Sequence, residues 1–200
     1  IGAKIPISQA SGHMIVNMGG GTAEIAIISL GQLVAYKTVR VAGTKIDEAI
    51  MQHLRKKHNV VVGERTAEEV KMKVGSALIE DEEGYVERTM EVRGRDIQTG
   101  LPRILEIGEK SINEGIQKPL KQILEGIKEV LGMAPPELAA DIVDKGIVLS
   151  GGTALLHNLN KYITYYTGVS AFVVEDPLFC VIRGVGVTIE NLDSFKNAIK

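Results

Sequence analysis

The spacing of apolar positions changes along the chain, and each change marks a different kind of element. His13-Met14-Ile15-Val16-Asn17 is an apolar run that halts at Gly19, Gly20 and Gly21. Residues 23–28 resume with β-branched side chains, and Gly31-Gln32 turns the chain into residues 33–41. Strand, glycine turn, strand, turn, strand predicts an antiparallel meander. The continuous apolar character of residues 23–29 predicts a strand buried on both faces. From Gly43 the period lengthens: Ile46, Ala49, Ile50, His53 and Leu54 share one helical stripe, with Thr44 as candidate N-cap and Asp47 three residues on. Thr66-Ala67-Glu68-Glu69 reads as a capping box opening a second helix whose apolar face is Val70, Val74 and Ala77.

A hairpin follows, with strands over 86–92 and 102–107 around a polar turn at 94–100. Ile112, Ile116, Leu120, Ile123 and Ile127 then predict a long helix over 109–131, kinked at Pro119. Pro135-Pro136-Glu137 starts a short helix, because proline suits the first helical position. Residues 145–150 read as a buried strand ending at Gly151-Gly152, followed by a helix over 154–167, a strand over 170–174 and a last helix opened by Asp176-Pro177. The order βββ–αα–ββ–α–α–β–α–β–α predicts one α/β layer domain with a smaller α+β insertion near 44–107.

Composition narrows the function. With 44% hydrophobic and 24% charged residues in 200, the chain has enough apolar material for a core. Its 23 basic and 25 acidic residues interleave, which argues against a nucleic-acid binder. The single cysteine, Cys180, excludes an intrachain disulfide and points to a reducing, cytosolic setting; beside Leu178 and Val181 it reads as core. No apolar run approaches the ~18 residues of a membrane span, and no signal peptide is visible. A first residue other than Met suggests an excised or processed fragment. His13, His53, His58 and His157 are scattered without zinc-like spacing, so no metal site is expected from them. Glu80-Asp81-Glu82-Glu83 reads as a solvated loop, with an exposed filament contact as the alternative. Tyr162, Tyr165 and Tyr166 are expected to cover the sheet.

Two segments carry candidate chemistry. In Val16-Asn17-Met18-Gly19-Gly20-Gly21-Thr22, the glycines tolerate positive φ and let backbone N–H groups converge on an anion, while Thr22 adds a hydroxyl near a terminal phosphate or its attacking water. The plain alternative is a tight hairpin turn. In Leu149-Ser150-Gly151-Gly152-Thr153-Ala154-Leu155, a strand breaks into a helix whose N-terminus attracts negative charge; the alternative is an ordinary strand-to-helix loop.

Together, strand–GGGT–strand followed about 130 residues later by strand–SGG–helix resembles the phosphate and adenosine motifs of the actin, heat-shock chaperone and sugar kinase superfamily. The segments 14–24, 40–43, 63–71, 91–96, 135–142 and 175–177 are similar, in order, to signatures of the MreB family of bacterial actins, so the resemblance covers essentially the whole chain. It implies an actin-like ATPase (ribonuclease H-like) α/β fold: an inner subdomain of residues 1–43 and 108–190, an outer α+β subdomain of 44–107 and a tail of 191–200. It implies ATP or ADP with Mg2+ between two large domains, and self-association into filaments at the cytoplasmic face of the cell membrane. Morphogenesis proteins would be partners there, in a cell-shape or motility role. By the same resemblance Gly19, Gly20, Gly21 and Thr22 hold the β- and γ-phosphates. Glu68 and Lys71 face the ribose and adenine, though from sequence alone they also read as a solvated helix pair. Ser150, Gly151, Gly152 and Thr153 lie against the adenosine.

The chain departs from the family pattern in particular places. Asn17 stands where an Asp is usual, and an amide neither takes a proton nor adds negative charge, so slowed hydrolysis is expected. Ala23 replaces a threonine, and Thr153 replaces a third glycine. The first phosphate loop, a metal-facing Asp, a water-positioning Glu and the membrane-touching apolar segment are expected upstream of Ile1. Half a cleft cannot supply both sides of a transition state, so these residues alone would act as an interaction module. A metabolic kinase or chaperone ATPase of the same superfamily is the alternative for the intact protein.

Overall fold

The computed structural model describes residues 1–80 and 84–192; Asp81, Glu82 and Glu83 of the acidic stretch and residues 193–200 of the tail lie outside them. In chain order the elements are β1 (His13–Met18), β2 (Ala23–Ser29), β3 (Gln32–Val39), α1 (Gly43–His58), β4 (Val60–Val61), α2 (Glu64–Val74), β5 (Thr89–Asp96), β6 (Pro102–Gly108), α3 (Glu109–Gly132), α4 (Pro136–Lys145), β7 (Ile147–Ser150), a 3-10 turn (Gly152–Leu155), α5 (Leu159–Thr167), β8 (Ala171–Val173), a second 3-10 turn (Pro177–Phe179) and α6 (Cys180–Glu190). They form a five-stranded sheet, β3-β2-β1-β7-β8, and a three-stranded sheet, β4-β5-β6.

The meander is antiparallel as expected, and β7 pairs with β1 in parallel, with Asn17 opposite Ser150. Alternation decides which face is covered: Met14, Val16 and Met18 of β1 and Ala23, Ile25 and Ile27 of β2 are buried on one side. Glu24 on the other side is exposed and Ala26 half-buried, so β2 is fully buried on one face only. The carboxylate of Glu24 keeps that face in contact with water. Helix α3 lies on the buried face through Ile112, Ile116, Leu120, Ile123 and Ile127, each worth roughly 1.5–3 kcal/mol. Gly126 lets it approach, since a side chain there would meet Val39 and Ile25. The buried apolar residues of the two sheets belong to one continuous cluster that includes Val60 and Val92 as well as Met14 and Val16.

Several boundaries differ from the sequence reading. Helix α2 starts at Glu64 with Gly63 as an extended N-cap and no side-chain cap bond, so Thr66 sits inside the first turn instead of opening a capping box. The chain leaves α2 at Gly75, which puts Ala77 outside the helix although it is buried. Thr44 does not cap α1 either. The helix starts one residue earlier, and the Gly43 and Thr44 N–H groups donate to the carbonyls of Gly19 and Gly20 at 3.2 and 2.8 Å. The helix expected over 154–167 is broken by Asn158 in the left-handed region, φ 56°. Helix α3 is one element running through a buried Pro119. The first strand of the hairpin begins at Thr89 and extends into the expected turn, as far as Asp96.

Candidate functional site

The parallel β1–β7 pair ends both strands at the same edge of the sheet, and both glycine turns follow from there. The turns are tied directly: Thr153 Oγ1 donates to the Gly19 carbonyl at 2.7 Å. Thr153 is buried, so the residue standing in for a third glycine acts as a strut between the turns. Gly151 has φ +84°, and a Cβ there would be driven into the Met18 carbonyl. Its N–H donates to Pro177 O at 3.0 Å.

A cavity of about 640 Å³ opens beside the turns and is lined by Gly19, Gly20, Gly152 and Thr153. Helix α1 contributes Gly43, Thr44 and Asp47 to it, and α2 contributes Glu68, Lys71 and Met72. Leu155, Leu156 and Leu178 give it an apolar rim. Lys71 Nζ donates to Asp47 Oδ2 at 2.9 Å, with both side chains mostly buried. The other oxygen, Asp47 Oδ1, is buried without a hydrogen-bond partner among the described residues. Burial raises the Asp47 pKa, against which the Lys71 bond pulls down.

Asn17, Thr22 and Ser150 occupy a row next to the cavity. Asn17 Oδ1 accepts from Ser150 Oγ at 3.1 Å, and its Nδ2 donates to Glu24 Oε2 at 2.8 Å. Thr22 Oγ1 donates to the same Glu24 carboxylate. The amide thus bridges a hydroxyl donor and a carboxylate acceptor, which an ionised Asp could not do.

Six of the residues singled out from the sequence therefore line one cavity: Gly19, Gly20, Glu68, Lys71, Gly152 and Thr153. Gly21 is an exposed turn residue, and Ser150 and Gly151 are buried behind the turn. The backbone of the first glycine turn differs from the expectation. Gly19, Gly20 and Gly21 do not adopt positive φ, so backbone conformation is not what calls for glycine there. Asp47 and Glu24 were missed as site residues. Asp47 meets Lys71 across 24 residues of chain, a pairing without local pattern; Glu24 lay inside the quoted motif, and its register opposite Asn17 was the available signal. Among the described residues, no group of three or more His, Cys, Asp or Glu is arranged to hold a metal ion, and no helix is long and apolar enough to cross a membrane.

The parallel sheet edge thus carries two joined glycine turns beside one cavity with an acid–base pair and an apolar rim, and comparison with known proteins gives the family. A family profile described as MreB/Mbl protein matches residues 1–197. The cell shape-determining protein MreB of Escherichia coli K12 is 44% identical over 193 residues, 96% of this chain and 54% of that protein. The cell shape-determining protein Mbl of Bacillus subtilis is 38% identical over 96% of this chain and 57% of its own length. Among solved structures, MreB5 of Spiroplasma citri bound to ADP superposes with a TM-score of 0.89 at 36% identity, covering 96% of this chain and 57% of that one. The AMPPNP-bound form gives 0.90 at 35% identity, covering 100% and 59%. The chain belongs to the MreB/Mbl family and has its actin-like fold. It spans about half the length of the relatives it matches.

Proposed function

We propose that the intact protein is a subunit of a nucleotide-regulated, actin-like filament serving cell shape or motility, and that this chain supplies one wall of its ATP site. The observation that carries the reading is the meeting of Gly19–Gly20 and Gly152–Thr153 in one cavity with Lys71, Glu68 and Asp47. The chemistry fits a nucleotide: glycine backbone for phosphates, an apolar rim for a base, and the polar side chains of Glu68 and the Lys71–Asp47 pair for a sugar. Relatives crystallised with ADP and AMPPNP support it, as do the names of the cell-shape relatives. By this reading Gly21 and Thr22 flank the terminal phosphates, and Ser150 and Gly151 support the adenosine turn.

Magnesium would come with the nucleotide, held chiefly by phosphate oxygens and water, because Asn17 offers a neutral amide. Assembly is at the inner face of the cell membrane with morphogenesis proteins, and the division into an inner subdomain (1–43, 108–190) and an outer one (44–107) belongs to the same reading. Sedimentation of the intact protein with and without ATP is the direct test. ATP-dependent pelleting is expected, and a small soluble species under both conditions points to a kinase-like relative instead. Phosphate release should rise on Asn17→Asp; equal rates in the two proteins would remove Asn17 from the account of slow hydrolysis.

A further inference from the structure

The helix carrying Glu68 and Lys71 and the turn carrying Gly152 and Thr153 are joined behind the cavity. Where the chain leaves α2, Ser76 pairs in parallel with His157. The Ala77 N–H donates to the His157 carbonyl at 2.8 Å. Asn158 Nδ2 donates to the Leu78 carbonyl at 2.9 Å. Asn158 is also the left-handed residue between the 3-10 turn and α5, so its side chain leaves a constrained backbone toward one acceptor. On the other flank Asn113 of α3 donates to the carbonyls of Ser76 and Ala77, at 2.9 and 3.0 Å. Ser76 and Ala77 are buried.

These bonds make residues 75–78 a strap between two walls of the cavity. Its carbonyls accept from side-chain amides on both sides, with Ser76 Oγ sharing the Leu78 carbonyl at 2.8 Å, so a tilt of α2 would strain one set or the other. We propose that this strap sets the separation between α2 and the second glycine turn, and that Asn158 is the positioning residue that holds it. The inference rests on the nucleotide reading of the cavity. It adds that affinity for the adenosine half of the ligand is controlled from behind the site, by a residue outside the cavity lining.

Asn158→Asp in the intact protein is the sharpest test. It keeps the size and the tolerance for left-handed backbone but turns an acceptor toward the Leu78 carbonyl. ATP affinity should fall about tenfold, while affinity for inorganic tripolyphosphate, which has no sugar or base to place between α2 and the 152–153 turn, stays within about twofold. Amide hydrogen exchange over residues 64–78 should quicken, with β1 and β2 unchanged. Asn158→Gly spares the backbone and loses only the bond; it takes the place of the Asp variant should that one misfold, with the same direction of change expected. The proposal is overturned if ATP affinity is unchanged, if both ligands weaken together, or if exchange over 64–78 does not move. A wild type that fails to bind ATP sinks the nucleotide reading, and the exchange experiment then decides the strap by itself.

Discussion

At Gly151 the backbone runs at φ +84° and an added side chain would strike the Met18 carbonyl, whereas at Gly19, Gly20 and Gly21 φ is unexceptional and an added Cβ meets nothing nearer than 3.6 Å. The sheet itself demands the first of these glycines, because β1 and β7 run side by side and the turn after β7 passes against the end of β1. Nothing among the described residues demands a glycine at the others. A run of glycines that the fold does not need fits the ligand approach proposed above, and Gly19 and Gly20 line the neighbouring cavity. The same residue type thus reports architecture in one turn and, on the proposed function, ligand access in the other.

Substitutions can break that contrast, beginning with the most severe. Gly151→Ala combines left-handed strain with a backbone clash and is expected to cost about 3 kcal/mol or more, seen as loss of the cooperative melt. A variant as stable as wild type would show that the turn has room to spare. Thr153→Val keeps the shape and deletes the hydroxyl that reaches Gly19. It should cost about 1–2 kcal/mol in urea titration, with most of it recovered by Thr153→Ser. Gly21→Ala is expected to leave stability within about 0.5 kcal/mol yet to lower ATP affinity of the intact protein about tenfold. If stability falls instead, Gly21 belongs to the architectural class.

The gentlest effect concerns pH. Burial raises the Asp47 pKa in the fold, so the folded chain holds that proton more tightly than the unfolded one. Its contribution to stability is therefore lost as pH rises from the ordinary carboxylate value through the raised one. Urea midpoints measured from pH 3 to pH 7 should lose this component in Asp47→Asn; an identical profile would mean that Lys71 offsets the burial completely.

How much of this was legible in the sequence differs from place to place. The meander, the long α3 and the buried β7 were readable because their apolar periods run over many residues. Family-like segments in order also pointed to the meeting of the two glycine turns. What escaped notice depends on tertiary partners. Thr66 and Thr44 looked like caps, but Gly63 and the carbonyls of Gly19 and Gly20 took those roles. The break at Asn158 follows from its tie to Leu78, eighty residues away along the chain. Two-residue β4 carries no period at all. The Asp47–Lys71 pair needed the packing of α1 on α2 to exist.

The parallel register of β1 with β7 also has a consequence in time. The hydrogen bond from Ser150 to Asn17 closes a span of 133 positions, and pairings so far apart form late because the intervening loop must first be ordered. During synthesis the meander leaves the ribosome before β7 does. At roughly 5–20 residues per second it waits on the order of ten seconds for its neighbouring strand to arrive. Throughout that interval one edge of β1 is uncovered, an open template for another nascent chain to pair with.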